Sequence, residues 1–456
     1  MTIERYTTPV ITSEEMLVFG TAPRPVRLTS AIEAGAGYTL PELNYTLPHG
    51  AEVSESAIDK VEQVYRDMAD SALKRAVELN IKRLVIEIEL VFEMTLHPEW
   101  GERVIRATRE TMEHYAQYGV NSALRTTVAD IRDRSRPPRN RTGAEVSDVL
   151  ETFERCAPFS DILSIESTGG KELSDEALLM CDMGGVVFAL GSLASNDMEF
   201  LWQKIVAISK AHNKVPGGDA ACGFANTAMQ LARQKMIPKV FAAVVRAVGA
   251  ARSLVALECG ATGPDKDCAY EGPILKAIAG IPIAMEGKSA ACAHSSHIGN
   301  IAMCACDLWS NESVPYTQLF GGYTPAVSLE ELWYDCKLMN CAIQTGNSLT
   351  LRDMLSASDA GDSAEALVLR PDSCLRIARA ITSSTDTLQR TWNAANEALT
   401  IIEEAVKEEN LTLDAREQPF LAAIRRSLDD FHGIDDKVNY YNSLYANRFL
   451  PDEYGL

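Results

Sequence analysis

With 456 residues, 46% of them hydrophobic and 23% charged, the chain can bury a large core and is too apolar to remain disordered. Its 63 Asp and Glu against 43 Lys and Arg give a net charge of −20, which repels phosphate backbones and anionic lipids and excludes nucleic acid and membrane as expected partners. Met1-Thr2-Ile3-Glu4-Arg5-Tyr6 does not read as a basic-then-apolar export signal, and no run of about 18 apolar residues occurs, so a cytoplasmic location is expected.

Short apolar runs predict strands at Leu28 to Ala34, Leu84 to Ile88, Ser122 to Thr126, Ile162 to Ile165, Val186 to Leu190, Lys214 to Gly217, Leu254 to Leu257 and Ile281 to Met285. Several, such as Leu254-Val255-Ala256-Leu257, are continuously apolar, the mark of a strand buried on both faces of a parallel sheet. Between them lie segments of helical period, the clearest carrying Ile58, Val61, Tyr65, Met68, Ala72, Ala76 and Leu79 at three- and four-residue steps. Eight alternations of this kind predict a (β/α)₈ barrel, with an open doubly wound sheet as the alternative. After about Val314 helices dominate. Leu388, Trp392, Ala395, Leu399 and Ile402 form one apolar stripe and Phe420, Ile424 and Leu428 another, so the expected division is a barrel over 1–313 and a packed helical extension over 314–456.

All strands of such a barrel point at one face, so functional residues belong at their C-terminal ends. Glu33, Glu87, Glu89, Glu166, Glu258 and Glu286 all fall there, and that many carboxylates around one mouth require protons or cations between them. Glu166 ends the fourth predicted strand, Cys222 follows the sixth within Pro216-Gly217-Gly218-Asp219-Ala220-Ala221-Cys222, and Cys268 follows the seventh. Two thiolates and one carboxylate make a three-ligand zinc site with an open fourth position, the catalytic pattern. No C-x-x-C pair singles these residues out, so plain buried thiols remain the alternative. The eleven cysteines, in a long chain without an export signal, are expected to be free or metal-bound rather than paired in disulfides.

Cys292, His294, His297, Cys304 and Cys306 offer rival soft ligands, with core or capping roles as the alternative. Gly169-Gly170-Lys171 is followed by Glu172 and lacks the upstream glycine of a P-loop. Asp430-Phe431-His432-Gly433-Ile434-Asp435 begins like the D-x-H-x-x-G signature of corrinoid binding but ends in Asp435, so this chain is expected to carry no corrinoid of its own. Arg132, Arg134, Arg136, Arg139 and Arg141 read either as a docking loop on the functional face or as a solvated one.

Over nearly its whole length the sequence resembles the zinc-dependent methanol:corrinoid methyltransferases. The resemblance is carried by Gly35-Ala36-Gly37-Tyr38-Thr39-Leu40-Pro41-Glu42-Leu43-Asn44-Tyr45, Ser164-Ile165-Glu166-Ser167-Thr168-Gly169-Gly170-Lys171-Glu172, Ala225-Asn226-Thr227-Ala228-Met229, Gly263-Pro264-Asp265-Lys266-Asp267-Cys268-Ala269-Tyr270-Glu271, Met285-Glu286-Gly287-Lys288 and Trp309-Ser310-Asn311-Glu312-Ser313. It implies a (β/α)₈ barrel with extra helices, zinc on Glu166, Cys222 and Cys268, a homodimer, and a separate corrinoid protein that accepts the methyl group of methanol. Asp219 and His294 are expected near the metal as supporting or proton-handling groups. The competing functions are demethylation of another methoxylated or alcohol substrate on the same chemistry, activation of a thiol acceptor, and a non-catalytic scaffold for a corrinoid protein.

Overall fold

The computed structural model describes residues 3–48, 50–268, 270–313, 318–446 and 448–456. An antiparallel hairpin of β1 (Thr21–Arg27) and β2 (Glu33–Ala36) leads into eight parallel strands. These are β3 (Leu40–Tyr45), β4 (Arg83–Glu89), β5 (Asn121–Ala129), β6 (Ile162–Glu166), β7 (Val215–Gly218), β8 (Asp265–Asp267), β9 (Ile283–Glu286) and β10 (Leu308–Ser313). Their order is β7-β6-β5-β4-β3-β10-β9-β8, so the two ends of the sheet are successive strands. The ends meet. Thr262 donates its N–H to the Pro216 carbonyl at 2.8 Å, and Gly218, at φ +146°, lets Asp265 so close that a Cβ would stand 1.8 Å from its Oδ1. The fold is the expected (β/α)₈ barrel.

The lumen has an apolar floor and a polar upper part. Leu40, Val85, Ala123, Ile162, Ala284 and Leu308 form the floor, sealed from below by Leu28, Ile32 and Ala34 of the hairpin. Two residues further up β3, β4, β5 and β6 stand Glu42, Glu87, Arg125 and Ser164, all buried. Arg125 spans the barrel, donating to Glu42 Oε1 at 2.7 Å, Ser164 Oγ at 3.1 Å and the Pro264 carbonyl at 2.9 Å. Charged groups thus occupy the layers that branched apolar residues fill in most barrels of this kind.

That polarity explains where the strand expectations failed. Leu28 to Ala34 is the turn region of the hairpin, Val186 to Leu190 lies in a helical run from Met183 to Ala194, and Leu254 to Leu257 is the last turn of the helix Lys239–Glu258. The actual strands β3, β8 and β10 carry Glu42 and Asn44, Asp265, and Ser310 and Glu312, and so lack an apolar run. Lys239–Glu258 is apolar all round because it is covered all round: every residue from Val240 to Glu258 is buried, with the barrel on one side and Thr387–Lys407, Ala364–Leu367 and Gln418–His432 on the other. By length and composition it could cross a membrane; here it is a core helix.

Val314 and the three residues after it lie outside the described residues, so the expected division there has no structural counterpart to inspect. The helix Thr324–Gln344 that follows packs on β3 and β10 and against Ile58–Glu78, completing the outer ring.

The arginine loop after β5 is not solvated throughout: Arg134, Arg136 and Arg139 are exposed, but the other two arginines are held by the fold. Arg132 is fully buried, with Nε and Nη2 on Asp130 at 2.9 and 2.8 Å and Nη1 and Nη2 on Asp197 at 2.8 and 2.7 Å. Arg141 donates to the carbonyls of Asn196 and Tyr454, and Arg136 pairs with Glu172. Replacing Arg132 with Met would leave two buried carboxylates without their cation. We expect a loss of about 3–5 kcal/mol in urea unfolding; a change below about 1 kcal/mol, the level of an exposed pair, would show the bridge to be dispensable.

Candidate metal centre

Three consecutive strands deliver the expected trio. Glu166 is the last residue of β6, Cys222 follows β7 by four residues, and Cys268 comes directly after β8. Counted along the barrel these are the fourth, fifth and sixth strands, so Cys222 and Cys268 each stand one strand earlier than expected. Their donor atoms lie within 4.8 Å of one another. Both cysteines are buried, in a small cluster with Ala220, while about a third of the Glu166 side chain is exposed at the mouth.

Cys222 and Cys268 are joined as a disulfide, with Cα atoms 5.8 Å apart and the two residues 46 positions apart in sequence, where free or metal-bound thiols were expected. Adjacent strand ends aim both sulfurs at one point, and sulfurs so placed serve either as a disulfide or, reduced, as a thiolate pair. Glu166 bears on that choice. Its Oε1 lies 3.7 Å from Cys268 Sγ. Donors at zinc-ligand bond lengths on a tetrahedral ion stand ~3.6 Å apart. A disulfide has no use for a carboxylate there, whereas a cation does. The residues present fit a metal ion held by the reduced pair and Glu166.

Lys266 is the group that sequence reasoning passed over. It is 2% exposed, and its Nζ meets Glu166 at 2.7 Å and Glu87 at 3.3 Å and also pairs with Glu89. Three carboxylates therefore share one ammonium, whose pKa they hold well above its usual value against the opposing effect of burial. Burial, with Glu89 and Glu87 adding to it, outweighs Lys266 at Glu166 and raises its pKa to about 7. Its position two residues before Cys268, within Gly263-Pro264-Asp265-Lys266, was the available signal.

Of the other expected carboxylates, Glu87, Glu89 and Glu286 do reach the lumen. Glu33 does not: it begins β2 in the hairpin below the floor and pairs with Arg27. Glu258 does not either, since it ends a buried helix and is paired with Arg390 at 2.6 Å and Arg5 at 2.5 Å.

Asp219 is buried in the loop after β7 and accepts from Ser167 N at 3.1 Å, Ser167 Oγ at 2.6 Å, Trp202 Nε1 at 2.9 Å and Arg252 Nη1 at 2.9 Å. These bonds lock the loop leading to Cys222 onto the one following Glu166. His294 caps Lys288–Ala293 and is outside the donor group. Burial, then Arg246 and Arg233, lower its pKa to about 4, so it stands neutral at neutral pH. His297 lies on the surface and Cys292 is exposed, whereas Cys304 and Cys306 are buried core thiols, so this segment assembles no second donor group among the described residues.

Residues 3–455 match the family model described as methanol-cobalamin methyltransferase B subunit. The chain is 39% identical over 470 residues to the methanol–corrinoid protein co-methyltransferase of Methanosarcina barkeri (strain Fusaro / DSM 804), covering 100% of both proteins. Its structure superposes on a chain of the crystal structure of the methanol:cobalamin methyltransferase complex MtaBC from Methanosarcina barkeri with a TM-score of 0.94, at 39% identity, covering 99% of this chain and 100% of that one.

Proposed function

The chain belongs to the methanol-cobalamin methyltransferase B subunit family, and we propose that it transfers the methyl group of methanol to cobalt(I) of a corrinoid held by a partner protein, using zinc on Glu166, Cys222 and Cys268. The observation that carries this reading is the convergence of one carboxylate and two sulfurs from three successive strand ends, with donor atoms within 4.8 Å. Two soft sulfurs and one oxygen favour zinc over magnesium or calcium, which take oxygen ligands. When bound, zinc supplies the Lewis acidity that draws electrons out of the alcohol's C–O bond.

The chain's own residues do the rest. Two thiolates and Glu166 would bring three negative charges to a doubly charged ion, and the Lys266 ammonium, shared with Glu87 and Glu89, offsets part of the excess. Glu87, Glu89 and Asn44 stand in the lumen beside it, joined to one another and to Lys266 by hydrogen bonds and ion pairs. A separate corrinoid protein as acceptor agrees with the broken signature at Asp435 and with the complex in which the solved relative was found. A homodimer belongs to the same reading.

The test mixes the purified, reduced protein with methanol and cob(I)alamin and follows the absorbance of methylcobalamin, with and without a zinc chelator. Methylation that the chelator abolishes is the expected result. No methylcobalamin from the zinc-loaded protein would remove the proposal, and turnover only with a larger alcohol or a methoxylated aromatic would redirect it.

A further inference from the structure

The lumen carboxyls differ in how their charge is offset. Glu42 is paired with Arg125 at 2.7 Å, and Glu87, Glu89 and Glu166 share Lys266. Glu286, the last residue of β9, is 2% exposed and touches no cation among the described residues. Its Oε1 accepts one bond from the neutral amide of Asn44 at 2.8 Å, and its Oε2 is buried without a hydrogen-bond partner among the described residues. The same Asn44 nitrogen donates to Glu89 Oε1 at 3.0 Å, and Glu89 in turn holds Lys266, which holds Glu166. Glu286 is thus tied to the metal-binding carboxylate through three side chains while its second oxygen stays uncommitted.

A buried carboxyl without a cation keeps its proton, because desolvation acts on the charged form alone. Of the groups facing Glu286, Glu312 on β10 and Glu89 and Glu87 on β4 are carboxylates that oppose a further negative charge, while Lys266 on β8 favours one but is engaged with three other carboxylates. On the outer side, Lys288 is taken up by Asp335. Burial and these anions put its pKa well above the carboxylate range.

We propose that Glu286 is the proton donor of the methyl transfer, handing its proton to the oxygen that leaves the methyl group. This rests on the methanol reading above, in which hydroxide would otherwise have to depart. The cobalt(I) electron pair forms the Co–C bond, the C–O pair moves to oxygen, and the Glu286 proton completes water. Glu286 is left as carboxylate and regains a proton from solvent through the mouth. The sum is methanol, cobalt(I) and one proton giving methylcobalt(III) and water.

Glu286→Gln keeps the shape, the neutrality and the Asn44 contact but has no acidic proton. Three readouts are expected together. In the infrared difference between metal-free wild type and variant at neutral pH, the carbonyl stretch of one protonated carboxyl is lost. The variant binds zinc as the wild type does. Its methyl transfer to cob(I)alamin falls by about 10²–10⁴-fold, with the alkaline fall of the pH–rate profile gone, and Glu286→Asp restores part of the rate and that fall. A difference spectrum without that loss, loss of zinc with the rate, or a rate within about threefold of wild type, too little for acid catalysis, would each overturn the assignment. Absence of turnover in the wild type would instead sink the methanol reading, and the infrared comparison on metal-free protein keeps the two failures apart.

Discussion

Cys222→Ala and Cys268→Ala are each expected to abolish stoichiometric zinc and to lower methyl transfer by about a thousandfold or more, with the barrel intact. The magnitude follows from losing a Lewis acid worth several kcal/mol of charge stabilisation, at about 1.4 kcal/mol per tenfold. The barrel survives because the two sulfurs sit with Ala220 in a cluster of their own, apart from the large core around the helices. Metal analysis and circular dichroism on the same reduced samples separate the two effects. The rival role for these sulfurs has its own signature. A disulfide closing a loop of 46 residues would contribute ~4 kcal/mol under oxidising conditions. A variant that loses that stability while keeping full zinc and full rate would remove both cysteines from the metal site.

Lys266→Met is expected to cost as much stability as the loss of Arg132, and to do so with a marked pH dependence. The ammonium lies between Glu87, Glu89 and Glu166, and its removal leaves three carboxylates facing one buried point. Breaking such a buried arrangement costs about 3–5 kcal/mol near neutral pH. The sign of the pH dependence follows from linkage. Without the cation the folded-state pKa of these carboxylates rises above the unfolded value, so the folded variant binds more protons. Its stability is then greatest below about pH 4.3, the unfolded value for Glu, and is lost as pH rises through the raised folded values. The gap to wild type should therefore widen from pH 5 to pH 8 in urea unfolding. Zinc should narrow it again, because an added dication supplies the missing charge. A gap that is flat with pH, or one below about 1 kcal/mol, the worth of an exposed pair, would show that Lys266 does not offset these charges.

Glu166, Cys222 and Cys268 were reached in the sequence through expected strand ends and the family resemblance, although several of the strands themselves were misplaced. Glu166, at the end of an apolar β6, was placed on the right strand, and Cys222 and Cys268 were placed at strand ends although the order around the barrel was shifted by one. The shift has a single physical cause. Strand recognition relies on apolar runs, but the inward positions of β3, β8 and β10 carry Glu42, Asn44, Asp265, Ser310 and Glu312. Meanwhile Val186 to Leu190 and Leu254 to Leu257 are apolar on every side because they lie in helices buried on every side. A lumen built for charge hides its own strands. Lys266 was missed for a related reason: a lone lysine reads as solvated, and only the fold shows three carboxylates around it. The role of Arg132 was hidden in the same way, since its partner Asp197 lies 65 residues along the chain.

The sheathed helix Lys239–Glu258 makes the C-terminal third a condition of the barrel's existence rather than an accessory to it. A ribosome that stopped after residue 313 would release a protein with a water-shunning rod bared along one flank, inviting aggregation. Any scheme that trims this enzyme to its catalytic barrel, or grafts that barrel elsewhere, must therefore carry a sleeve for that rod as well.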